Sequence, residues 1–166
     1  MSGDLPWSGT EQRLTHVDAS GRARMVDVSA KDVTVREATA VGAVRFSADV
    51  VAALRGEGVP KGDALAVARL AGIQAAKKTP ELVPLAHPVA VHAVVVDVEV
   101  VDSGVEITAT VRTADRTGVE MEALTAVAVA GLAMVDMVKA IDKAAEITGV
   151  RVVAKSGGRS GDWRRE

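Results

Sequence analysis

HAVVVDVEVV (residues 92–101), the turn DSG (102–104) and VEITATVR (105–112) are the part of the sequence that decides the fold. In the first run Val94, Val96, Val98 and Val100 share one face, and Val95, Asp97, Glu99 and Val101 share the other. In the second, Val105, Ile107, Ala109 and Val111 oppose Glu106, Thr108, Thr110 and Arg112. A period of two on both sides of a Gly-containing turn predicts an antiparallel hairpin with one wet face. A long helix is expected directly after it, over about 119–145, because Ala123 to Val135 holds no charge and Thr125 is its only polar side chain. Such a helix should be buried nearly all round.

Toward the N-terminus, residues 79–88 read as a Pro-bounded loop and DALAVARLAGIQAAKK (63–78) as a helix opened by Asp63, with Leu65, Val67, Leu70 and Ile73 at helical intervals. Ser47 precedes a shorter helix closed by glycine, and Val33 to Phe46 reads as an extended run broken near Gly42. Toward the C-terminus, VRVVAK (150–155) is a β-branched strand that runs into SGGRSGD. The order strand, helical crossover, strand, strand, helix, strand predicts an α+β fold: a ferredoxin-like antiparallel β-sheet with helices packed on one face. Residues 1–13, rich in Gly, Ser, Pro and charge, are expected to be a disordered lead-in to a single domain over 14–166.

Composition removes several classes of function. In 166 residues, 20 Lys and Arg face 22 Asp and Glu, a formal charge of -2 that lacks the basic footprint of a nucleic-acid binder. The three aromatics, Trp7, Phe46 and Trp163, are too few to stack bases along a strand, so the core must be aliphatic. No cysteine is present, which removes thiol catalysis, Fe–S clusters and Cys-based zinc sites, and three histidines are a thin supply for a metal site. The N-terminus has no apolar segment of a signal peptide, and the longest apolar stretch, 126–135, is half of what a bilayer needs. The chain reads as cytoplasmic, without a membrane partner.

The chemistry-bearing residues cluster around the long helix. Asp136 and Lys139, three apart, are neighbours on its surface. They read either as an ion pair where the helix leaves the core or as an acid/base pair whose proton affinities a desolvated site would shift toward neutral pH. Glu120, Met121 and Glu122 stand at the helix start, where acids also serve the helix dipole. Glu122 and Asp136 fall on one stripe, within ~40° of each other, but ~21 Å apart along the axis. If both act in one reaction, a partner subunit must supply one of them. His87 is held between two prolines in VPLAHP and is either a satisfied loop histidine or a substrate contact. Lys61 in KGD could meet an anion beside a helix start, and the tail KSGGRSGD suits a backbone nest around phosphate as well as a flexible end. No phosphate loop is present, which disfavours a GTP hydrolase.

Taken together, LTHVDASGRARMVDVSAK, TVREA, KGD, ARLAGIQAAK, PLAHP, TGVEMEALTA, DMVKA and AKSGGRSGD resemble the cyclic pyranopterin monophosphate synthase family, the second-step enzymes of molybdenum cofactor biosynthesis. The resemblance runs from Leu14 to Asp162. It implies conversion of 3′,8-cyclo-7,8-dihydroguanosine triphosphate to cyclic pyranopterin monophosphate with release of diphosphate, without a redox step. It makes Asp136 the essential acid/base group and Lys139 its partner, with Lys61 beside them as catalytic. Leu85, Ala86, His87, Glu120, Met121 and Glu122 would bind substrate, while Lys61, Arg36 and Lys155 would balance the triphosphate. It implies no resident metal, although Mg²⁺ could assist diphosphate departure, and a homohexamer built as a trimer of dimers with sites at the dimer interface. Two positions depart from the family pattern: Ala86 stands where cysteine is usual, and Arg159 where lysine is commoner. The alternative is a non-catalytic ferredoxin-like regulatory module that binds a purine or pterin.

Overall fold

The computed structural model describes residues 15–166, so the lead-in expected over 1–13 lies outside the described residues. The elements are β1 (Thr34–Arg45), α1 (Ala48–Arg55), α2 (Ala64–Lys77), α3 (Thr79–Leu82), β2 (Val91–Val101), β3 (Gly104–Asp115), α4 (Glu120–Val138), β4 (Glu146–Ser156) and β5 (Trp163–Arg164). They form one sheet in the order β2-β3-β1-β4-β5, every pairing antiparallel. With β1 and β3 inside and β2 and β4 flanking them, the four long strands have the ferredoxin-like arrangement that the element order predicts.

The hairpin follows its period of two. Val96 and Val98 are buried with Val105, Ile107, Ala109 and Val111, while Val95 on the opposite face is 56% exposed. β1 is not broken at Gly42: it pairs with β3 without interruption from Thr34 to Arg45. The glycine is required by the helix above it, since a Cβ there would lie 2.7 Å from Val127 Cγ1. What slips is the β1–β4 register, which shifts between Val41 and Ala43.

The same close approach turns half of the expected apolar stripe of α2 away from the core. Its buried residues are Ala64, Ala68, Gly72, Ala75 and Ala76, whereas Leu70 is 67% and Val67 41% exposed. A Cβ on Gly72 would lie 2.9 Å from the Ala126 carbonyl oxygen, so α2 and α4 meet through their smallest residues; of the expected stripe Leu65 and Ile73 pack partly buried against the core, and Val67 and Leu70 turn outward. Asp63 caps α2 as expected, accepting a hydrogen bond from the Ala66 N–H at 3.0 Å.

Helix α4 is shorter and more one-sided than its apolar composition suggests. It ends at Val138, where Lys139 is the C-cap. The Asp142 carboxylate then accepts the N–H groups of Ser47 and Ala144, which fixes a turn and lets β4 begin at Glu146 rather than Val150. Ala123, Ala126, Val127, Ala130, Met134 and Val138 are buried against the sheet and α2, while Leu132 is 58% and Met121 42% exposed. By length and composition alone α4 could cross a bilayer. Here it is the central core helix of the fold.

Candidate active site

The two ends of α4 carry two separate groups of functional side chains. At the C-terminal end, Asp136 is bridged by two ammonium groups. Lys139 Nζ lies 2.7 Å from Oδ1, one helical turn away, and Lys61 Nζ lies 3.0 Å from Oδ2, brought in by the loop ahead of α2. The anion expected near Lys61 is therefore a carboxylate of the same chain. The group is open to solvent, with the Asp136 side chain 55% exposed, so the desolvated pair anticipated from the sequence is not formed within one chain. Hydrogen bonds from Lys139 and then Lys61 hold the Asp136 carboxyl below the usual carboxylate range. Its ionised form is the one that accepts a proton, and the ammonium groups beside it are the forms that donate one.

The N-terminal end is a cavity of about 430 Å³. It is lined by Leu85, Ala86, His87, Glu120, Met121 and Glu122, all expected from the sequence, together with His16, Val83, Thr117 and Gly118, which were not. The loop after α3 supplies the first three, and the start of α4 the acids. Glu122 is 2% exposed, and burial, reinforced by the charge of Glu120 and opposed by its own backbone N–H, pushes its carboxyl up to about 7. One end of the helix thus holds an acid poised to keep its proton near neutral pH, and the other an acid that has lost it.

His87 is tied by Nε2 to the Val26 carbonyl oxygen. A carbonyl can only accept, so Nε2 carries the proton and Nδ1 is left with the lone pair in the neutral ring. The block LTHVDASGRARMVDVSAK therefore has a structural reason: it lays Val26 across His87 and brings His16 to the cavity. That block carries the only sequence signal that could have pointed to His16.

Lys155 extends the cavity end. Its Nζ lies 3.2 Å from Glu120 Oε1, and Ala38, its register partner, shares a face of β1 with Arg36. Arg36 Nε donates to the Asp115 carbonyl oxygen at 3.1 Å. Arg36 and Lys155 therefore share one face of the neighbouring strands β1 and β4, while Lys61, grouped with them on sequence grounds, sits with Asp136 instead. In the tail, the Gly157 N–H donates to Asp162 and the Gly161 N–H to the Gly158 carbonyl, so these two donors are engaged within the chain. Among the described residues no group of three or more His, Asp or Glu side chains could hold a metal ion. Asp136 is engaged by two lysines and Glu120 by Lys155, so the donor set suits an anionic ligand better than a cation.

A ferredoxin-like α+β sheet with a carboxylate held between two lysines at one end of its core helix, and a cavity lined by two glutamates and two histidines at the other, has the form of an enzyme that acts on a small molecule. Residues 25–158 match the MoaC family. A cyclic pyranopterin monophosphate synthase of Streptomyces griseus is 67% identical over 94% of this chain and 88% of its own length. Proteins of the same name from Nocardioides sp., 66% identical over 95% of this chain and 99% of theirs, and from Roseiflexus sp., 58% identical over 90% and 96%, are similar throughout. The chain belongs to the MoaC family.

Proposed function

We infer that this chain is the enzyme its relatives are named for, a cyclic pyranopterin monophosphate synthase acting in molybdenum cofactor biosynthesis. The observation that carries the reading is the Lys61–Asp136–Lys139 bridge. It is built from KGD and DMVKA, motifs far apart in sequence, in a chain 67% identical to a protein of that name. The substrate is 3′,8-cyclo-7,8-dihydroguanosine triphosphate and the products are cyclic pyranopterin monophosphate and diphosphate. Asp136 accepts a proton as the purine imidazole opens, and Lys139 and Lys61 return protons as the new ring closes. Leu85, Ala86, His87, Met121 and Glu122 hold the base, and Arg36 and Lys155 take the triphosphate.

The site is composite. Glu122 and Asp136 lie 14 residues apart on one unbroken helix, ~21 Å at ~1.5 Å per residue, too far for one small substrate to touch both from one chain. A two-fold partner that brings its Asp136 end to this cavity completes the site and shields the exposed carboxylate from water. The outward-facing Leu70, Val67 and Leu132 supply apolar surface for assembly, and a trimer of such dimers gives a cytoplasmic hexamer. The test is incubation of purified protein with the cyclic GTP derivative. Equal amounts of pterin product and diphosphate support the reading, with plain GTP left untouched. Substrate bound and recovered unchanged identifies a binding module.

A further inference from the structure

Gly158 lies directly under the Arg36 guanidinium: its φ is +76°, and a Cβ there would lie 2.2 Å from Arg36 Nη1 and 2.8 Å from Cζ, so any side chain must push the guanidinium aside. Arg36 is therefore packed against the bare backbone of the tail, while Nε is held on the Asp115 carbonyl. The tail itself is fastened on both sides of this contact, by the Gly157 N–H on Asp162 and the Gly161 N–H on the Gly158 carbonyl. A guanidinium gripped at Nε and covered on one side keeps its two Nη groups in a fixed direction, which a fork binding phosphate oxygens needs. Among the described residues those Nη groups have no hydrogen-bond partner.

We propose that Gly158 is a positioning residue: the absence of its side chain is the seat that aims the Arg36 guanidinium, beside Lys155, at the phosphate chain of the substrate. The inference rests on the reading of Arg36 as a triphosphate ligand and adds a role for the Gly-rich tail that is neither an anion nest nor a loose end.

The fold contains its own control. Gly161 lies in the same loop with φ +68°, but a Cβ there meets nothing within 4 Å. Gly158→Ala and Gly161→Ala thus impose similar backbone strain, and only the first displaces Arg36. Kinetics with the cyclic GTP derivative, and inhibition by inorganic diphosphate, separate them. Gly158→Ala should raise KM and the diphosphate inhibition constant roughly tenfold with kcat nearly unchanged, and Gly161→Ala should change either by less than about twofold. In an Arg36→Ala background Gly158→Ala should add nothing, because two changes acting through one group are not additive. Equal effects of the two glycine variants, or a Gly158→Ala effect that persists without Arg36, would overturn the seat. Normal KM in Arg36→Ala itself would instead overturn the role of Arg36. If Gly158→Ala does not fold, Arg36→Lys decides: a lysine lacks the planar fork, so the same tenfold loss is expected, and wild-type KM would contradict the proposal.

Discussion

At the start of α4 the carboxyl of Glu122 is buried beside an apolar cavity and pushed up to about 7, whereas near its end the carboxyl of Asp136 stands in solvent between two ammonium groups and is pulled down. The two acids belong to one helix, and their chemistry is opposite because burial dominates at one end and charge at the other. This division gives a single helix one carboxyl that keeps its proton to about pH 7 and one that has already lost it. It also keeps them apart along the axis, with the middle of α4 packed closely between Gly42 of the sheet, which faces the Val127 side chain, and Gly72 of α2, which faces the Ala126 carbonyl oxygen. A rigid rod with different ends can unite them only by meeting a second rod.

The largest expected effect comes from removing the acceptor. Asp136→Asn should lower kcat by about 10²–10⁴, the usual contribution of a positioned acid or base, and leave the melting temperature nearly unchanged, since exposed ion pairs hold little stability. A large fall in melting temperature with turnover retained would make the bridge structural instead.

The buried end predicts a pH-dependent stability. A carboxyl raised from an ordinary 4.5 to about 7 in the fold is protonated in both folded and unfolded chains below about pH 4.5, so its contribution is fully present there. As pH rises through 7 the folded protein must ionise a buried group, and that contribution is lost, on the order of 3 kcal/mol by the shift. Glu122→Gln should flatten the fall between pH 5 and 8 in denaturant titrations, estimated from that same linkage as roughly the whole loss. An identical slope in wild type and variant would mean that Glu122 ionises freely.

A smaller effect tests the charges at the other end. Lys61→Met removes one of the ammonium groups that hold Asp136 down, so its carboxyl should move up and the acidic limb of the kcat profile should shift to higher pH. At the cavity end Lys155→Ala should raise KM by less, roughly tenfold, with the gap to wild type narrowing as salt is added. If Lys155→Ala moves the acidic limb and Lys61→Met does not, the assignment of charge to the two ends is reversed.

Local patterns made the sheet legible: alternating valines in β2 and β3 need only near neighbours to declare a face. The long helix was visible from its lack of charge, but its end was not, because the turn at Asp142 depends on the N–H of Ser47, a residue far away in sequence. The faces of α2 were misleading for the same reason. Of the stripe Leu65, Val67, Leu70 and Ile73, the first and last pack against the core, but the distance between α2 and α4 is set by Gly72 and Ala126, and only the packed structure shows that Val67 and Leu70 face outward. In the site, Asp136 and Lys139 are legible as helix neighbours, and DMVKA and PLAHP stand out by resemblance. The bond from Lys61 to Asp136, 75 residues apart, and the burial of Glu122 are consequences of tertiary packing and left no local mark.

The composite site is tested most directly by mixing two inactive proteins. Glu122→Gln and Asp136→Asn are combined under conditions in which mass-tagged chains show complete subunit exchange. In each mixed dimer one site collects both substitutions and the other is intact, so turnover should recover to about one quarter of wild type if exchange is random. Activity that stays at the level of the single variants after complete exchange would contradict the account, and the two ends of α4 would then not meet across an interface.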